Sequence, residues 1–185
     1  MQAWDVALLY YINQAGSPTW DVFWKLVSNT WVWIPLYFWL LYKSFKSLDT
    51  KSFIIFLLMV VLLIALTDQL AFYVKETLAI RLRPCHIPEI AENLRAVHDV
   101  CRGAHGFYSA HAANHAAIAT LMMLSFRFRS LGIFILLVWT AFIGISRVYL
   151  GVHFPTDVLT GWFVGSITAF FFATLFKIWT QKEFW

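Results

Sequence analysis

Charged residues are scarce in this sequence, because Lys, Arg, Asp and Glu make up only 13% of its 185 residues. A soluble domain usually has about a quarter charged residues. Hydrophobic residues reach 61%, so the sequence indicates an integral membrane protein. It also lacks a Gly/Ser-rich linker, a block of charges and an internal repeat, each of which would suggest a second domain. The composition predicts one membrane-embedded domain over residues 1–185.

Cations are missing from the start of the chain, where the first is Lys25. A cleavable signal peptide needs a charged segment ahead of its apolar run, so we expect the N-terminus to stay on the protein. Cysteines are scarce as well, and the two present, Cys85 and Cys101, flank one polar stretch. The two cysteines do not show the close Cys and His spacing that favours a zinc site. A disulfide in an oxidising compartment and two free thiols both remain open.

Five apolar segments indicate membrane crossings. At about 1.5 Å per residue, most can span a hydrocarbon core about 30 Å thick, and the third only barely. Trp4 to Ile12 is too short to span and predicts an interfacial helix. The predicted fold is an all-α integral membrane protein, a bundle of five transmembrane helices plus an N-terminal interfacial or sixth helix. The five segments are roughly Val22 to Tyr42, Ser52 to Val74, Ala110 to Phe126, Leu131 to Tyr149 and Val158 to Ile178.

Lysines and arginines collect in three short polar connections. Cytoplasmic loops carry an excess of these residues, so the three connections are placed inside the cell. The N-terminus, residues 75–109 and residues 147–157 then lie outside an inner (cytoplasmic) membrane, facing the periplasm or exterior. The inside cations are Lys43, Lys46, Lys51, Arg127, Arg129, Lys177 and Lys182.

Seven further cations do not belong to the three inner connections, and six of them lie in or beside the outer connections. Cations placed against the orientation rule indicate a bound anion. Arg95 and Arg102 lie among acidic residues and are interpreted as solvated loop charges. The cations at the membrane ends of helices, Lys75, Arg83 and Arg147, are interpreted as functional, since such groups can neutralise a phosphate dianion. The seven are Lys25, Lys75, Arg81, Arg83, Arg95, Arg102 and Arg147.

Reactive groups accompany these cations. Ser109 begins the third apolar segment, so its hydroxyl and neighbouring backbone N–H groups can face a phosphate oxygen at a helix N-terminus. His111 and His153 can supply nucleophile and acid, because imidazole titrates near neutral pH. If a helix begins with Pro155 in its first turn, Asp157 lies near His153. Its carboxylate can then orient the ring and stabilise the cation formed on attack.

These residues resemble the three-part signature of the type 2 phosphatidic acid phosphatase superfamily, K-x6-R-P, P-S-G-H and S-R-x5-H-x3-D. The third part matches without change over residues 146–157. The first part is one residue longer, since Lys75 to Pro84 reads K-x7-R-P, and the second reads Tyr-Ser-Ala-His. One extra residue turns a side chain on an unbroken helix by about 100°, unless a loop before Arg83 absorbs it.

The resemblance implies a lipid phosphatase that needs no metal and no cofactor. His153 would attack phosphorus to give a phosphohistidine, Asp157 would orient it, and His111 would protonate the leaving oxygen and then activate water. The implied partners are a membrane lipid substrate and the bilayer, without nucleic acid. The groups that would hold the equatorial oxygens and stabilise the transition state are Lys75, Arg83, Ser109, the Ala110 N–H and Arg147.

Several alternatives stay open. The candidate substrates are undecaprenyl diphosphate, phosphatidylglycerol phosphate, phosphatidic acid and the phosphates of lipid A, and the compact chain with an outward-facing site favours the first. A lipid phosphotransferase on the same fold is the nearest alternative. A haem- or quinone-binding protein is more distant, because His111 and His153 lie at helix ends beside arginines and not deep in apolar surroundings.

Two further features, a histidine pattern and Asp68, admit two interpretations each. His105, His111 and His115 form a pattern that could ligate a metal, although packing of His115 against a neighbouring helix is favoured. Asp68 lies inside the second span, where an ionisable group is costly unless it is paired or wet. It is interpreted as a structural partner of Lys75 or as a direct part of the site.

Overall fold

The computed structural model describes residues 2–95 and 100–180. The regular secondary structure of these residues is helical, with no β-strand among them. The predicted all-α class is confirmed, whereas Lys182 lies outside the described residues. A 3-10 turn at Thr30–Trp33 and a π turn at Val74–Leu78 interrupt the α-helical pattern. The α-helices are α1 Ala3–Gln14, α2 Pro18–Ser28, α3 Ile34–Ser47, α4 Thr50–Tyr73, α5 Pro88–Ala91, α6 Ala110–Ser125, α7 Ser130–Tyr149 and α8 Pro155–Thr180.

Three helices among the described residues are long and apolar enough to cross a membrane. They are α4 with its π turn, Thr50–Leu78, followed by α7 and α8, and they correspond to the second, fourth and fifth predicted spans. The third predicted span forms α6, which has 16 residues. At about 1.5 Å per residue it extends about 24 Å, less than a hydrocarbon core of about 30 Å.

The first predicted segment, Val22 to Tyr42, is divided and does not form one helix. α2 ends at Ser28, after which Asn29 has extended backbone and its Oδ1 accepts the Trp31 N–H at 3.1 Å. Pro35 lies in the first turn of α3, where backbone N–H groups have no partner within the helix, so the N–H that proline lacks costs no hydrogen bond. Local capping thus breaks a helix that the continuous apolar pattern alone would extend.

α1 packs on the bundle through a buried face that includes polar residues. Leu9 is fully buried, and Asp5 and Asn13 are 1% exposed. Asn13 Nδ2 donates to the carbonyl oxygen of Tyr149, the last residue of α7, at 2.7 Å. The N-terminal helix is therefore attached to the ends of the helices that carry the candidate site.

α6 and α8 approach closely because α8 carries glycines at their contact. A Cβ on Gly165 would lie 2.1 Å from the carbonyl oxygen of Ala113, and one on Gly161 would lie 2.6 Å from that of Ser109. These obstacles are backbone atoms, which cannot rotate away. The Ser109 N–H also donates to the carbonyl oxygen of Asp157 at 3.0 Å. The N-terminus of α6 is consequently held against the first turns of α8.

Candidate active site

His153 lies just before α8, and it is 2% exposed. α8 begins at Pro155, as expected for a proline suited to a first turn. Asp157 follows within that turn, and its Oδ2 lies 3.5 Å from His153 Nδ1. The same oxygen accepts the Phe154 N–H at 2.9 Å. The helix start therefore places the carboxylate beside the imidazole, at a separation longer than a normal hydrogen bond.

Arg83 contacts the other nitrogen of this ring. Its Nη1 lies 3.1 Å from His153 Nε2 and 3.2 Å from the carbonyl oxygen of Val152. A guanidinium only donates, so Nε2 accepts and the ring proton resides on Nδ1, toward Asp157. Burial lowers the pKa of His153 to about 3, which keeps the ring neutral at physiological pH. The Nε2 lone pair therefore faces a cation, at a position suited to a bound anion.

Groups from three further segments converge on the same place. His111 on α6 interacts electrostatically with Arg147 and with His153. Lys75 in the π turn interacts with Arg83 and with Arg147. Within the described part of the chain, the Nε atoms of Arg83 and Arg147 are buried and have no hydrogen-bond partner. The site thus offers unused N–H donors and an excess of positive charge, which an anion would satisfy.

The π turn explains how the longer first motif still reaches the site. α4 ends at Tyr73, and Val74–Leu78 has the wider π geometry. Such turns occur as single interruptions of α-helices, often at functional sites. Ala79 then leaves the helix with a left-handed backbone, φ 44°, and Arg83 lies in the loop beyond it. The K-x7-R-P spacing therefore leaves Lys75 close to Arg83.

Ser109 is the N-cap of α6 and is fully buried. Its Oγ accepts the Ala112 N–H at 3.4 Å. Ala110 is the first residue of the helix, and the first backbone N–H groups of a helix have no partner within it. The positive end of the helix macrodipole is therefore adjacent to His111, where it favours a bound anion.

Arg81 is the main residue whose role was not identified from the sequence, which marked it only as a cation out of place. Its Nη2 donates to Asp157 Oδ1 and, at 2.7 Å, to Thr156 Oγ1. Its Nη1 donates to Asp5 Oδ2 at 2.8 Å. Thr156 also donates to Asp5, from its N–H at 3.0 Å and its hydroxyl at 2.6 Å. Arg81 therefore connects α1 to the carboxylate beside His153.

Replacing Arg81 with methionine should lower kcat by about tenfold to a hundredfold, with a smaller effect on KM. The change would leave Asp5 and Asp157 buried without their shared cation, and Asp157 would no longer be held in place. Steady-state phosphate release measures both parameters. Arg81→Lys should recover part of kcat, and Arg95→Met, which breaks a partly exposed ion pair with Asp21, is the control. Equal kcat values for Arg81→Met and the wild type would contradict this role.

His115 is held through both ring nitrogens. Nδ1 lies 2.7 Å from the carbonyl oxygen of His111, and Nε2 lies 3.1 Å from the Tyr37 hydroxyl. The ring also packs edge-on against Trp139 at 5.0 Å between centroids. Since a carbonyl only accepts, Nδ1 carries the proton and Nε2 accepts from Tyr37. These contacts with Tyr37 and Trp139 agree with the interpretation of His115 as a polar residue packed against neighbouring helices.

Asp68 is paired inside its span. Its Oδ1 accepts from Asn114 Nδ2 at 2.8 Å, and Asn114 Oδ1 accepts the Thr67 hydroxyl at 2.6 Å. Asp68 also interacts electrostatically with Lys75. These contacts favour the interpretation of Asp68 as a structural partner of a site cation.

Cys85 and Cys101 form a disulfide, which decides between the two alternatives left open by their spacing. The bond closes the loop that begins two residues after Arg83. Among the described residues, the side chains whose potential metal-ligand atoms lie close together are Cys85, His86 and Cys101. Both sulfurs are bonded to each other, so they are not available as thiolate ligands.

Comparison with known proteins finds similar sequences over most of this chain. The PAP2 superfamily pattern matches residues 52–181. A lipid A 4'-phosphatase of Bacteroides thetaiotaomicron is 34% identical over 170 residues, which are 91% of this chain and 75% of that protein. A lipid A 4'-phosphatase of Porphyromonas gingivalis is 30% identical over 166 residues, which are 89% of this chain and 69% of that protein.

Solved structures show the same similarity in three dimensions. The crystal structure of Aquifex aeolicus LpxE superimposes with a TM-score of 0.69 at 26% identity, over 94% of this chain and 96% of that one. A second crystal structure is that of a transmembrane PAP2 type phosphatidylglycerolphosphate phosphatase from Bacillus subtilis. It superimposes with a TM-score of 0.70 at 25% identity, over 100% of this chain and 89% of that one. The chain therefore belongs to the PAP2 superfamily and is an integral membrane lipid phosphatase.

Proposed function

We propose that this enzyme removes a phosphate group from lipid A or a closely similar glycolipid. Two relatives named for that activity match 91% and 89% of the chain. The sequence alone favoured undecaprenyl diphosphate as the substrate, whereas these relatives favour a phosphate of lipid A. The observation that carries the phosphatase chemistry is the contact of Arg83 with His153 Nε2, because it aims a neutral nucleophile into a group of cations.

In the first step, the Nε2 lone pair of His153 attacks phosphorus, and the bond from phosphorus to the sugar oxygen breaks. Arg83 transfers its hydrogen bond from Nε2 to a phosphate oxygen as substrate enters. His111, protonated in the presence of the phosphate dianion, gives its proton to the leaving sugar oxygen. The cations and the N-terminus of α6 stabilise the charge on the equatorial oxygens. The product of this step is a phosphohistidine with its Nδ1–H directed at Asp157.

In the second step, neutral His111 takes a proton from a water molecule as that water attacks the phosphohistidine. The phosphorus–nitrogen bond breaks, His153 regains its neutral form, and inorganic phosphate leaves. The net reaction consumes one lipid phosphate and one water. Fixed cations fulfil the charge-stabilising role that a metal has in other phosphatases.

The proposed topology has five crossings in one domain, with α2 and α3 forming the first. α3, α6 and α8 end toward one side. Lys43 and Lys46 lie near the end of α3, and Arg127 and Arg129 lie in the connection after α6. The candidate site lies at the opposite ends of the same helices. The excess of Lys and Arg in cytoplasmic loops supports an inner-membrane protein whose site faces the periplasm.

The purified protein in detergent should release inorganic phosphate from lipid A, with a lipid product lighter by one phosphate in mass spectrometry. Activity should persist in EDTA and should be inhibited by vanadate, which adopts the pentacoordinate geometry. Loss of activity in EDTA together with indifference to vanadate would contradict the metal-free mechanism.

Parallel assays with undecaprenyl diphosphate, phosphatidylglycerol phosphate and phosphatidic acid separate the candidate substrates. Turnover of one of these, without turnover of lipid A, would contradict the proposed substrate. Phosphate appearing on a second lipid or sugar, without inorganic phosphate, would identify a phosphotransferase.

A further inference from the structure

A cavity of about 540 Å³ lies between α3 and α7, at the end of the bundle opposite the candidate active site. The connection from α6 to α7 forms its third side. The candidate site lies at the start of α6, whereas this cavity lies beyond the end of the same helix, which has 16 residues and extends about 24 Å. The site and the cavity therefore lie toward opposite leaflets of the membrane.

Three cations line this cavity, and its lining includes no Asp or Glu among the described residues. The cations are Lys43, near the end of α3, and Arg127 and Arg129 in the connection. Within the part of the chain that the structure describes, none of the three forms an ion pair with a carboxylate. Orientation in the membrane favours cations at this end, but it does not require them to share one cavity. Their uncompensated charge indicates an anionic ligand.

Phe128 holds the connection in place between the two helices. Lys43 Nζ lies over its ring, 4.5 Å from the centroid, an arrangement that attracts the cation. The Trp39 ring packs edge-on against it at 5.9 Å between centroids. Gly132 lets this ring approach α7, because a Cβ there would lie 2.7 Å from Phe128 Cδ1. The residues on both sides of Phe128 in the sequence are the two arginines, so its packing keeps them beside Lys43.

The walls of the cavity change from cationic to apolar toward the middle of the bundle. On α7, Leu131 and Ile135 are one helical turn apart and lie on the same face. On α3, Trp39 lies one turn before Lys43 and therefore deeper in the membrane. A molecule with a phosphate at the cations and a hydrocarbon chain along α7 matches this order.

We propose that this cavity binds an anionic phospholipid of the leaflet opposite the candidate active site. Lys43, Arg127 and Arg129 hold its phosphate, the arginines by bidentate hydrogen bonding and the lysine as a point charge. The first carbons of one acyl chain lie along Leu131 and Ile135. Basic pockets between transmembrane helices bind anionic headgroups in this way in other membrane proteins. The site is separate from the reactive one and does not depend on which lipid the enzyme hydrolyses.

Native mass spectrometry of the protein in detergent tests the site, with phosphatidylglycerol as the probe. The double variant Arg127→Gln/Arg129→Gln should bind this lipid about tenfold or more weakly than the wild type. Lys46→Gln/Lys51→Gln is the matched control, because it removes the same charge at the same end of the bundle from residues outside the cavity lining. It should stay within about threefold of the wild type. Equal losses in the two double variants would overturn the proposal and show only general attraction of anionic lipid.

Thermal melting gives a second measurement and checks that the variants fold. A ligand that binds only the native state stabilises it, so phosphatidylglycerol should raise the Tm of the wild type and of the lysine variant more than that of the arginine variant. Phosphatidylcholine with the same chains has no net charge and should raise the wild-type Tm less. Inorganic phosphate in large excess should not displace the lipid, because it has no chain to place along α7. Displacement by phosphate would overturn the assignment to a lipid.

A photoreactive lipid locates the acyl chain. The protein is irradiated with phosphatidylglycerol that carries a diazirine near the start of one chain. Cross-links should concentrate on Leu131 and Ile135, which line the cavity, and decrease with excess unlabelled phosphatidylglycerol. Equal cross-linking of Phe134, which is 62% exposed on another face of α7, would overturn the proposal. These measurements do not use phosphate release, so their failure is distinguishable from failure of the proposed function.

Discussion

Replacing His153 with glutamine should abolish phosphate release, with a fall in kcat of at least about 10⁴-fold. The amide has a similar size and can still contact Arg83, but it has no nitrogen lone pair able to attack phosphorus. Burial of the ring, at 2% exposure, keeps bulk water away from the attack position. The remaining groups can bind lipid phosphate without transferring it.

The measurement follows inorganic phosphate from lipid A at saturating substrate, beside His86→Gln as the control. His86 is exposed in the loop after Arg83. Wild-type protein denatured rapidly at alkaline pH during turnover should contain phosphate bound to the peptide that carries residue 153. If the glutamine variant retained a tenth of wild-type kcat, another residue would have to be the nucleophile.

Asp157→Asn should lower kcat by about 10³- to 10⁴-fold while the protein stays folded. In the wild type, Oδ1 accepts from Arg81, and Oδ2 accepts the Phe154 N–H and faces His153 Nδ1. In the variant, an amide NH₂ in either position would face another hydrogen-bond donor, where an acceptor is required. The substitution would also remove the negative charge that stabilises the ring of His153 once its Nε2 carries phosphate. A comparable exchange beside the histidine of a serine protease lowers kcat by about 10⁴-fold.

Asp21→Asn is the matched control, because Asp21 also pairs with an arginine and a hydroxyl, those of Arg95 and Tyr149. It should retain most of the wild-type kcat. A large fall in kcat for Asp157→Asn with KM nearly unchanged would indicate loss of transition-state stabilisation. A loss of activity that accompanied lowered thermal stability in both variants would point to general destabilisation instead.

The sequence was most informative where the relevant contacts are local. His153, Pro155 and Asp157 lie within five residues, so the start of one helix determines their relative positions. The N-cap position of Ser109 also follows from the first residues of α6. Long apolar runs indicated α4, α7 and α8, because each forms one continuous helix long and apolar enough to cross a membrane.

Contacts between distant segments could not be predicted in the same way. Arg81 reaches Asp5 across 76 positions and Asp157 across another 76, and no periodicity links these residues. The division of the first span depends on Asn29 and Pro35, whose local hydrogen bonding outweighs the apolar pattern around them. The cavity of about 420 Å³ between α3, α4 and α6 requires the positions of three helices at once, so its lining residues resemble ordinary span residues in the sequence.

The glycines of α8 at its contact with α6 also bear on which substitutions such an enzyme can tolerate. Gly161 and Gly165 lie against backbone atoms of α6, so the starts of the two helices, where His111 and His153 lie, are held together through main-chain contacts. A larger residue at either glycine would force the two helices apart. We therefore expect sequence variation to fall on helix faces away from this contact, where it leaves the relative position of the two histidines unchanged.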